Sequence, residues 1–378
     1  MNRRCLHWSY LNYKEIPMDL YLYEDLEEVY LKENYIAAIP KWFLNLTNLK
    51  FVHLAGNNLT QLPEELYLLE NLEFLDVSNN QLQELPSSIG YMLNLLHLNV
   101  SSNELTDLPK TLTYMKRLES LNISKNKLKR IPQFLCECAR LNELNLSENT
   151  EIWHIPERVA YMPSLQMLSA DKCSLIYLPV ALAKFLDYLR IFNNSAITHI
   201  PIIYEKFYQN YFETPTKSPH IPVTHSDFFW VVEKETFKKL LLPIGTKQVF
   251  PVPSKENQVT LYDDCLKTLE NLNRLSPFYE NPALKYILPE KTMVNHIRNG
   301  PIARCTVFKC SNPLFTTFYF MVVKRRGSTS RQLFTCYFCT MYCANVWLNE
   351  NNKKYYCVDW EVYEELTDNL GDYRFKPK

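Results

Sequence analysis

Leu72-Glu-Phe-Leu75-Asp-Val77-Ser-Asn-Asn80 is the stretch on which the fold turns. Aliphatic residues stand at its first, fourth and sixth positions, and an asparagine closes it. The same string returns at a fixed interval, its asparagine falling at Asn34, Asn57, Asn80, Asn103, Asn126 and Asn149, 23 residues apart. Proline keeps the beat at Pro17, Pro40, Pro63, Pro86, Pro109, Pro132, Pro156, Pro179 and Pro201, each after Leu or Ile. A fixed period of about 20–50 residues marks a chain built from stacked copies of one unit. Such a unit cannot bury its own apolar face, so neighbouring copies must cover it.

The string and its period resemble the leucine-rich repeat. The resemblance implies an α/β solenoid of about eight 23-residue repeats over residues 1–212, a Leu-x-Leu strand in each. It also implies a ladder in which the asparagine side chains bond backbone groups between turns. An apolar residue stands three and six places after each proline, as in Leu66 and Leu69, Ile89 and Met92, Leu112 and Met115. That spacing predicts a helical or 3₁₀ turn facing the core. Ile16-Pro17 with Leu20 reads as the second half of an atypical first unit, and Pro201 with Tyr204 and Phe207 as a closing cap. The ladder loosens at its end: one extra residue enters at Thr150–Glu151, and Cys173 takes an asparagine's place.

A solenoid of this kind is a binding surface, and the strand pattern names its lining. The third, fifth and seventh positions of the string point away from the core. Small polar residues fill the middle of these columns, and rings gather at one end: Tyr30, Phe51, His53, Phe74 and His97. Grouped aromatics suit the anchor site of a protein partner.

The rest of the composition narrows the classes. Lys plus Arg (41) equals Asp plus Glu (41), so no overall field favours nucleic acid or an anionic membrane. No apolar run reaches membrane-spanning length. Met1-Asn-Arg-Arg-Cys-Leu-His-Trp8 lacks the apolar core of a signal peptide. These features predict a soluble cytoplasmic protein; Lys324-Arg325-Arg326 with Arg331 reads first as a solvated hairpin tip, with a nuclear import signal or phosphate contact as the alternative. No Gly-x-Ser-x-Gly, Walker loop or His-Glu-x-x-His is present, so an enzyme is not expected.

Beyond a proline-rich linker at 213–225, residues 226–378 read as a second domain. Short strands are expected between 227 and 253, helices over 260–298, and an antiparallel hairpin over 303–348 that turns at Lys324–Arg331. Seven of the 11 cysteines lie beyond residue 260. Cys305-x4-Cys310 lies on one side of that hairpin and Cys339-x3-Cys343 on the other. Two such pairs can converge as four thiolates on a structural Zn²⁺, with Cys336 and Cys357 as substitutes. The alternative is four buried free thiols.

Thr260 and Asp263 form a capping box that starts a helix, and Leu261, Cys265 and Leu269 lie along one stripe of it. Thr260-Leu261-Tyr-Asp-Asp-Cys265-Leu-Lys-Thr-Leu269 resembles the BC box of SOCS-box proteins, which implies binding to elongin B/C. Ile287-Leu288-Pro289 resembles a cullin box, although Glu290 and Lys291 depart from that pattern. In order, these features are similar to intracellular leucine-rich-repeat proteins with a SOCS-box-like and four-cysteine C-terminal region. That resemblance implies a non-catalytic substrate receptor of a cullin–RING ubiquitin ligase, with the client on the concave face. The alternative is a signalling scaffold like the Ras-associated leucine-rich-repeat proteins, with the 260–273 helix packed internally.

Overall fold

The computed structural model of the chain describes residues 4–175 apart from residue 24. Beyond them it describes residues 178–179, 182, 186–194, 197, 200–201, 228–233, 239–243, 248–249, 303–307, 309–310, 312–314, 319–327, 333–358, 360–367 and 373–377. The expected linker at 213–225 and the helices expected over 260–298 lie outside these residues. The chain divides into two compact units. One comprises Met1–Ile155, Val159–Ser174 and Phe185–Asn194; the other comprises Pro156–Arg158, Leu175–Lys184 and Ser195–Lys378.

The first unit is a leucine-rich-repeat solenoid. Its nine strands are β1 (Cys5–His7), β2 (Glu28–Tyr30), β3 (Phe51–His53), β4 (Phe74–Asp76), β5 (His97–Asn99), β6 (Ser120–Asn122), β7 (Glu143–Asn145), β8 (Met167–Ser169) and β9 (Tyr188–Arg190), which form one parallel sheet in chain order. Each strand pairs in the same register, so equivalent residues stand side by side, Phe51 against Phe74 and Phe74 against His97. The middle residue of each strand faces the core: Leu75, Leu98 and Leu121 are buried. Burial of one such side chain stabilises by roughly 1.5–3 kcal/mol, and the contribution repeats with every coil.

Strand β1 is an addition to the sequence reading, which placed only the second half of a first unit. Cys5, Leu6 and His7 pair with Glu28, Val29 and Tyr30. Counted back by one period, Arg3, Trp8 and Leu11 occupy the places that later units give to Leu, Leu and Asn, so the pattern is hidden there.

The asparagine ladder forms as expected. Asn80 Nδ2 donates to Leu54 O and Val77 O, both at 3.0 Å, while its Oδ1 accepts from Leu59 N at 2.9 Å. Three buried backbone groups that no strand partner could reach are thereby satisfied. Cys173 keeps part of this role, its thiol donating to Leu146 O at 3.6 Å. The residue before each ladder position takes a left-handed conformation: Glu33, Gly56, Asn79, Ser102, Lys125, Glu148, Lys172 and Asn193 all have φ between +51° and +67°. Most of these residues lack glycine's freedom, and the chain accepts this cost so that the backbone can turn out of the strand.

The prolines open five-residue 3₁₀ turns on the opposite side. Pro63, for example, caps Glu64–Leu68, with Leu66 N bonded to Pro63 O at 3.1 Å and Leu69 N to Leu66 O at 3.2 Å. Gly90 sits where neighbouring turns meet most closely, and a Cβ there would overlap the Thr111 carbonyl oxygen.

Among its described residues the second unit contains three small sheets. One runs β10 (Ile200–Pro201), β17 (Phe334–Phe338), β16 (Tyr319–Arg325), β13 (Gln248–Val249), with β18 (Tyr355–Cys357) also paired to β16. A second runs β12 (Lys239–Pro243), β11 (Phe228–Glu233), β19 (Trp360–Thr367), β20 (Tyr373–Pro377), and the third is the pair β14 (Ala303–Arg304) and β15 (Pro313–Leu314). The expected strands in 227–253 and the antiparallel hairpin, β16 against β17, are present. The hairpin region does not run extended to 348, however. Helix α1 (Met341–Asn351) begins there, because the Thr340 side chain caps it by accepting from Cys343 N at 3.2 Å. Phe338 is fully buried against its Trp347, which packs on Tyr355, while Phe320 is buried against Tyr337. Among the described residues no helix is long and apolar enough to cross a membrane.

Candidate functional site

Strand register brings the five expected rings of the concave face together. Tyr30 stacks on His53 with centroids 4.3 Å apart, His53 lies 4.6 Å from Phe74, and Phe74 lies 6.2 Å from Phe51 and 6.0 Å from His97. The column extends one strand further than the sequence reading drew it, since His7 stacks on Tyr30 at 4.4 Å. His7 stands one full period before Tyr30, and the period alone could have found it. The centre of the stripe is partly covered, His53 being 8% exposed and Tyr30, Phe51 and Phe74 half-buried, whereas His7 and His97 at its ends are exposed. They form a continuous apolar stripe whose rings hold one another in place.

Charge sits beneath this stripe. Asp76 Oδ1 accepts from the Ser78 hydroxyl at 2.6 Å and from Ser78 N at 3.1 Å. Its other oxygen lies 3.9 Å from Lys32 Nζ and 4.0 Å from His53 Nδ1, the second longer than a hydrogen bond. Burial acts to raise the Asp76 carboxyl, but His53, Ser78 and Lys32 outweigh it and hold it below the ordinary carboxylate range. At the far end of the same columns lies a second apolar group that the sequence reading did not single out. Met167, Tyr188 and Phe192 are 41–48% exposed, and Arg190 covers the Phe192 ring while pairing with Asp171 at 2.6 Å.

The four expected metal ligands also converge. Cys305 and Cys310 lie on the knuckle between β14 and β15, where Cys305 N bonds Asn312 O at 2.9 Å and Cys310 N bonds Val307 O at 3.0 Å. Cys339 follows β17, and Cys343 lies in the first turn of α1. Paired bonds tie the knuckle to β17: Thr306 N donates to Tyr337 O at 2.6 Å, and Tyr337 N to the Thr306 hydroxyl oxygen at 2.7 Å. All four sulfurs lie within 4.8 Å of one another, with Cys310 and Cys339 at 3.4 Å and Cys339 and Cys343 at 3.7 Å. A tetrahedron with Zn–S bonds of about 2.3 Å requires sulfurs about 3.8 Å apart. The donor set therefore fits a soft, tetrahedral cation. The cluster's protons are unevenly shared: hydrogen bonds from Cys305, Cys310, Cys343 and Asn312 hold Cys339 down to about 5 against the effect of burial, whereas burial pushes Cys310 up to about 11.

Cys336 and Cys357 are not part of the cluster. Cys336 is fully buried in β17, and the Cys357 thiol contacts Met321 Sδ at 3.4 Å. The remaining expected site residues, Leu261, Cys265, Leu269, Leu288 and Pro289, lie outside the described residues.

Comparison with known proteins bears on the solenoid. Residues 25–146 match the family described as leucine-rich repeat region. No curated protein matches the chain. Among solved structures, the chain is similar to a leucine-rich-repeat protein of Leptospira interrogans, with 32% identity over 52% of this chain and 50% of that one and a TM-score of 0.49. It is similar to the ectodomain of the Arabidopsis thaliana receptor kinase GASSHO1/SCHENGEN3 in complex with CASPARIAN STRIP INTEGRITY FACTOR 2, at 27% identity over 48% and 23% and a TM-score of 0.43. It also resembles the Arabidopsis receptor kinase HAESA in complex with the peptide hormone IDA and the co-receptor SERK1, at 23% identity over 53% and 38% and a TM-score of 0.47. The chain spans half or less of the length of each of these structures.

Proposed function

We propose that the chain is a non-catalytic protein-recognition module, binding its partner on the concave face through Tyr30, Phe51, His53, Phe74 and His97. The carrying observation is the stripe of packed rings, half-buried at its centre, at one end of the concave sheet face. Buried aromatic anchors commonly contribute more than about 2 kcal/mol each to a protein interface. Phe51→Ala with Phe74→Ala should therefore lower affinity for the partner captured from cells by more than about tenfold, with the unfolding transition of the solenoid little changed. If that pair also melts the repeats, the rings serve the fold and the reading fails.

The second unit, on this reading, carries one structural Zn²⁺ on Cys305, Cys310, Cys339 and Cys343. Support comes from the sulfur separations and from a donor set made wholly of thiols. When bound, the ion cross-links the knuckle, the end of β17 and the start of α1. No substrate position is required of it.

The client is further proposed to be presented to a ubiquitin ligase, with Leu261, Cys265 and Leu269 meeting elongin B/C and Leu288-Pro289 selecting a cullin. The support is the sequence order of a BC-box-like helix, a Leu-Pro segment and a four-cysteine region. Leu261→Ala with Cys265→Ala should release elongins B and C from the purified complex while the client stays bound. A wild-type complex free of elongins would instead favour the signalling scaffold.

A further inference from the structure

Over β4–β7 the concave face forms an open hollow of about 200 Å³ whose lining includes Phe74, His97, Asn99, Asn122, Glu143 and Asn145. Asn99, Asn122 and Asn145 occupy the same strand position as Asp76. Each turns its Oδ1 back onto the backbone N–H two residues on: Ser101 N at 3.2 Å, Ser124 N at 3.1 Å and Ser147 N at 3.1 Å. The Ser124 hydroxyl adds a second donor to Asn122 Oδ1 at 2.8 Å. An oxygen, not an amino group, must face these donors, so the orientation of each carboxamide is fixed. The three Nδ2 groups are left on the free side, and none makes a hydrogen bond among the described residues. The hollow thus holds a row of preset N–H donors. At one end stands the Phe74 ring, packed on His97. At the other stands the Glu143 carboxylate, which accepts from the Ser120 hydroxyl at 3.2 Å and has no ion-pair partner among the described residues.

The ligand that matches this row must bring bare acceptors, an apolar side chain and a cation. An extended peptide does so, because its carbonyls have no partners of their own. A helical peptide has already used its carbonyls internally. A nucleic acid would set its phosphates against Glu143 with no lysine or arginine lining the hollow to offset them. Spacing adds a requirement. From Phe74 to Glu143 is three strand steps, about 14 Å at the usual separation of about 4.8 Å. An extended chain covers that distance in about four residues, an even number that keeps both side chains on one face.

Resting on the reading of the concave face as the binding surface, we infer that this hollow takes an extended peptide segment. The segment carries an aromatic or large aliphatic residue against Phe74 and, four residues along in either direction, a lysine or arginine against Glu143. Its main-chain carbonyls accept from Asn99 and Asn122.

The test is selection of phage-displayed random peptides on the full chain, followed by affinity measurement of the synthesised peptides. The selected peptides should share the apolar and basic residues at that separation. Asn99→Asp with Asn122→Asp keeps the turn, as Asp76 demonstrates, but replaces outward donors by acceptors. It should weaken the peptides at least about tenfold with an unchanged unfolding transition. Glu143→Lys should switch selection from basic to acidic residues at that position. Equal binding to the double Asp variant, absence of the spaced pair, or preference for a random single-stranded oligonucleotide over any peptide would overturn the inference. If Phe51→Ala with Phe74→Ala abolishes capture of the partner while the Asp and Lys variants change nothing, the concave-face reading stands and this inference alone falls. If none of these variants has an effect, both fall.

Discussion

Nine strands in the solenoid share one register and a ladder repeated coil after coil, whereas in the second unit four sulfurs from a knuckle, a strand end and a helix start meet at one point. Both arrangements satisfy groups that a short local segment cannot satisfy alone. The solenoid does so in parallel, since each ladder side chain bonds its own coil and the one before it, and a fault at one rung leaves the others intact. The C-terminal cluster does so at a single point, so the same kind of fault reaches every element that supplies one of the sulfurs. Repetition limits damage, and convergence spreads it.

The largest expected effect lies at the convergent site. Structural zinc contributes an apparent free energy of roughly 10–16 kcal/mol in small thiolate-bearing sites. Adding a chelator to the full chain, or introducing Cys339→Ser, should expose β16, β17 and α1 to hydrogen exchange and leave β2–β7 protected. Exchange that rises equally in both regions would mean that the contrast between them is false.

A smaller effect is expected at one rung of the ladder. Asn103→Ala removes the donor to Val77 O and Val100 O and the acceptor for Leu82 N, all buried. Leaving such groups unmet costs about 1–3 kcal/mol each, with some relief from water. Urea unfolding should show a loss of about 2–4 kcal/mol. Asn103→Cys should cost less than Ala, because Cys173 already shows a thiol donating across coils at this position. Equal losses would mean that the thiol contact contributes nothing.

The smallest effect has the opposite sign. Ser102 holds φ at +54°, a conformation that costs a non-glycine residue about 1–2 kcal/mol. Ser102→Gly should raise the midpoint of thermal unfolding slightly, glycine's greater freedom in the unfolded chain offsetting part of the gain. A lowered midpoint would show that the serine side chain contributes more than the strain it imposes.

Legibility in the sequence followed the same division. The solenoid could be read because every core position is repeated, so Leu75 is supported by Leu98 and Leu121 at the same phase. The reading failed at β1, where Arg3, Trp8 and Leu11 break the pattern, and His7 was lost from the ring stack with it. The four cysteines were legible because ligand chemistry restricts both residue type and spacing. Helix α1 was not, because Phe334–Cys343 is a nearly continuous apolar run, and only the Thr340 cap ends the strand. Strand β19 was not read, because the charges of Glu361, Glu364 and Glu365 break up any apolar alternation across Trp360–Thr367. Orientation of the concave asparagines could not be read at all, since it depends on bonds to serine N–H groups that exist only once the strands are in register.

Register also bears on how the chain folds. From β1 to β7 each strand meets its neighbour one period along the chain, and β8 follows β7 at one period plus the extra residue. No loop longer than about one coil has to close before the next contact forms, so the closure entropy per added coil stays nearly constant, about 3 kcal/mol for a loop of that length. Assembly can begin in the most regular coils and advance in both directions. In the second unit, Ile200 in β10 pairs with Phe334 in β17, a contact that must wait for a far longer stretch of chain to close. Local separation of this kind favours fast folding and long separation slow folding, so the coils of the solenoid have the means to be in place before the C-terminal sheets close.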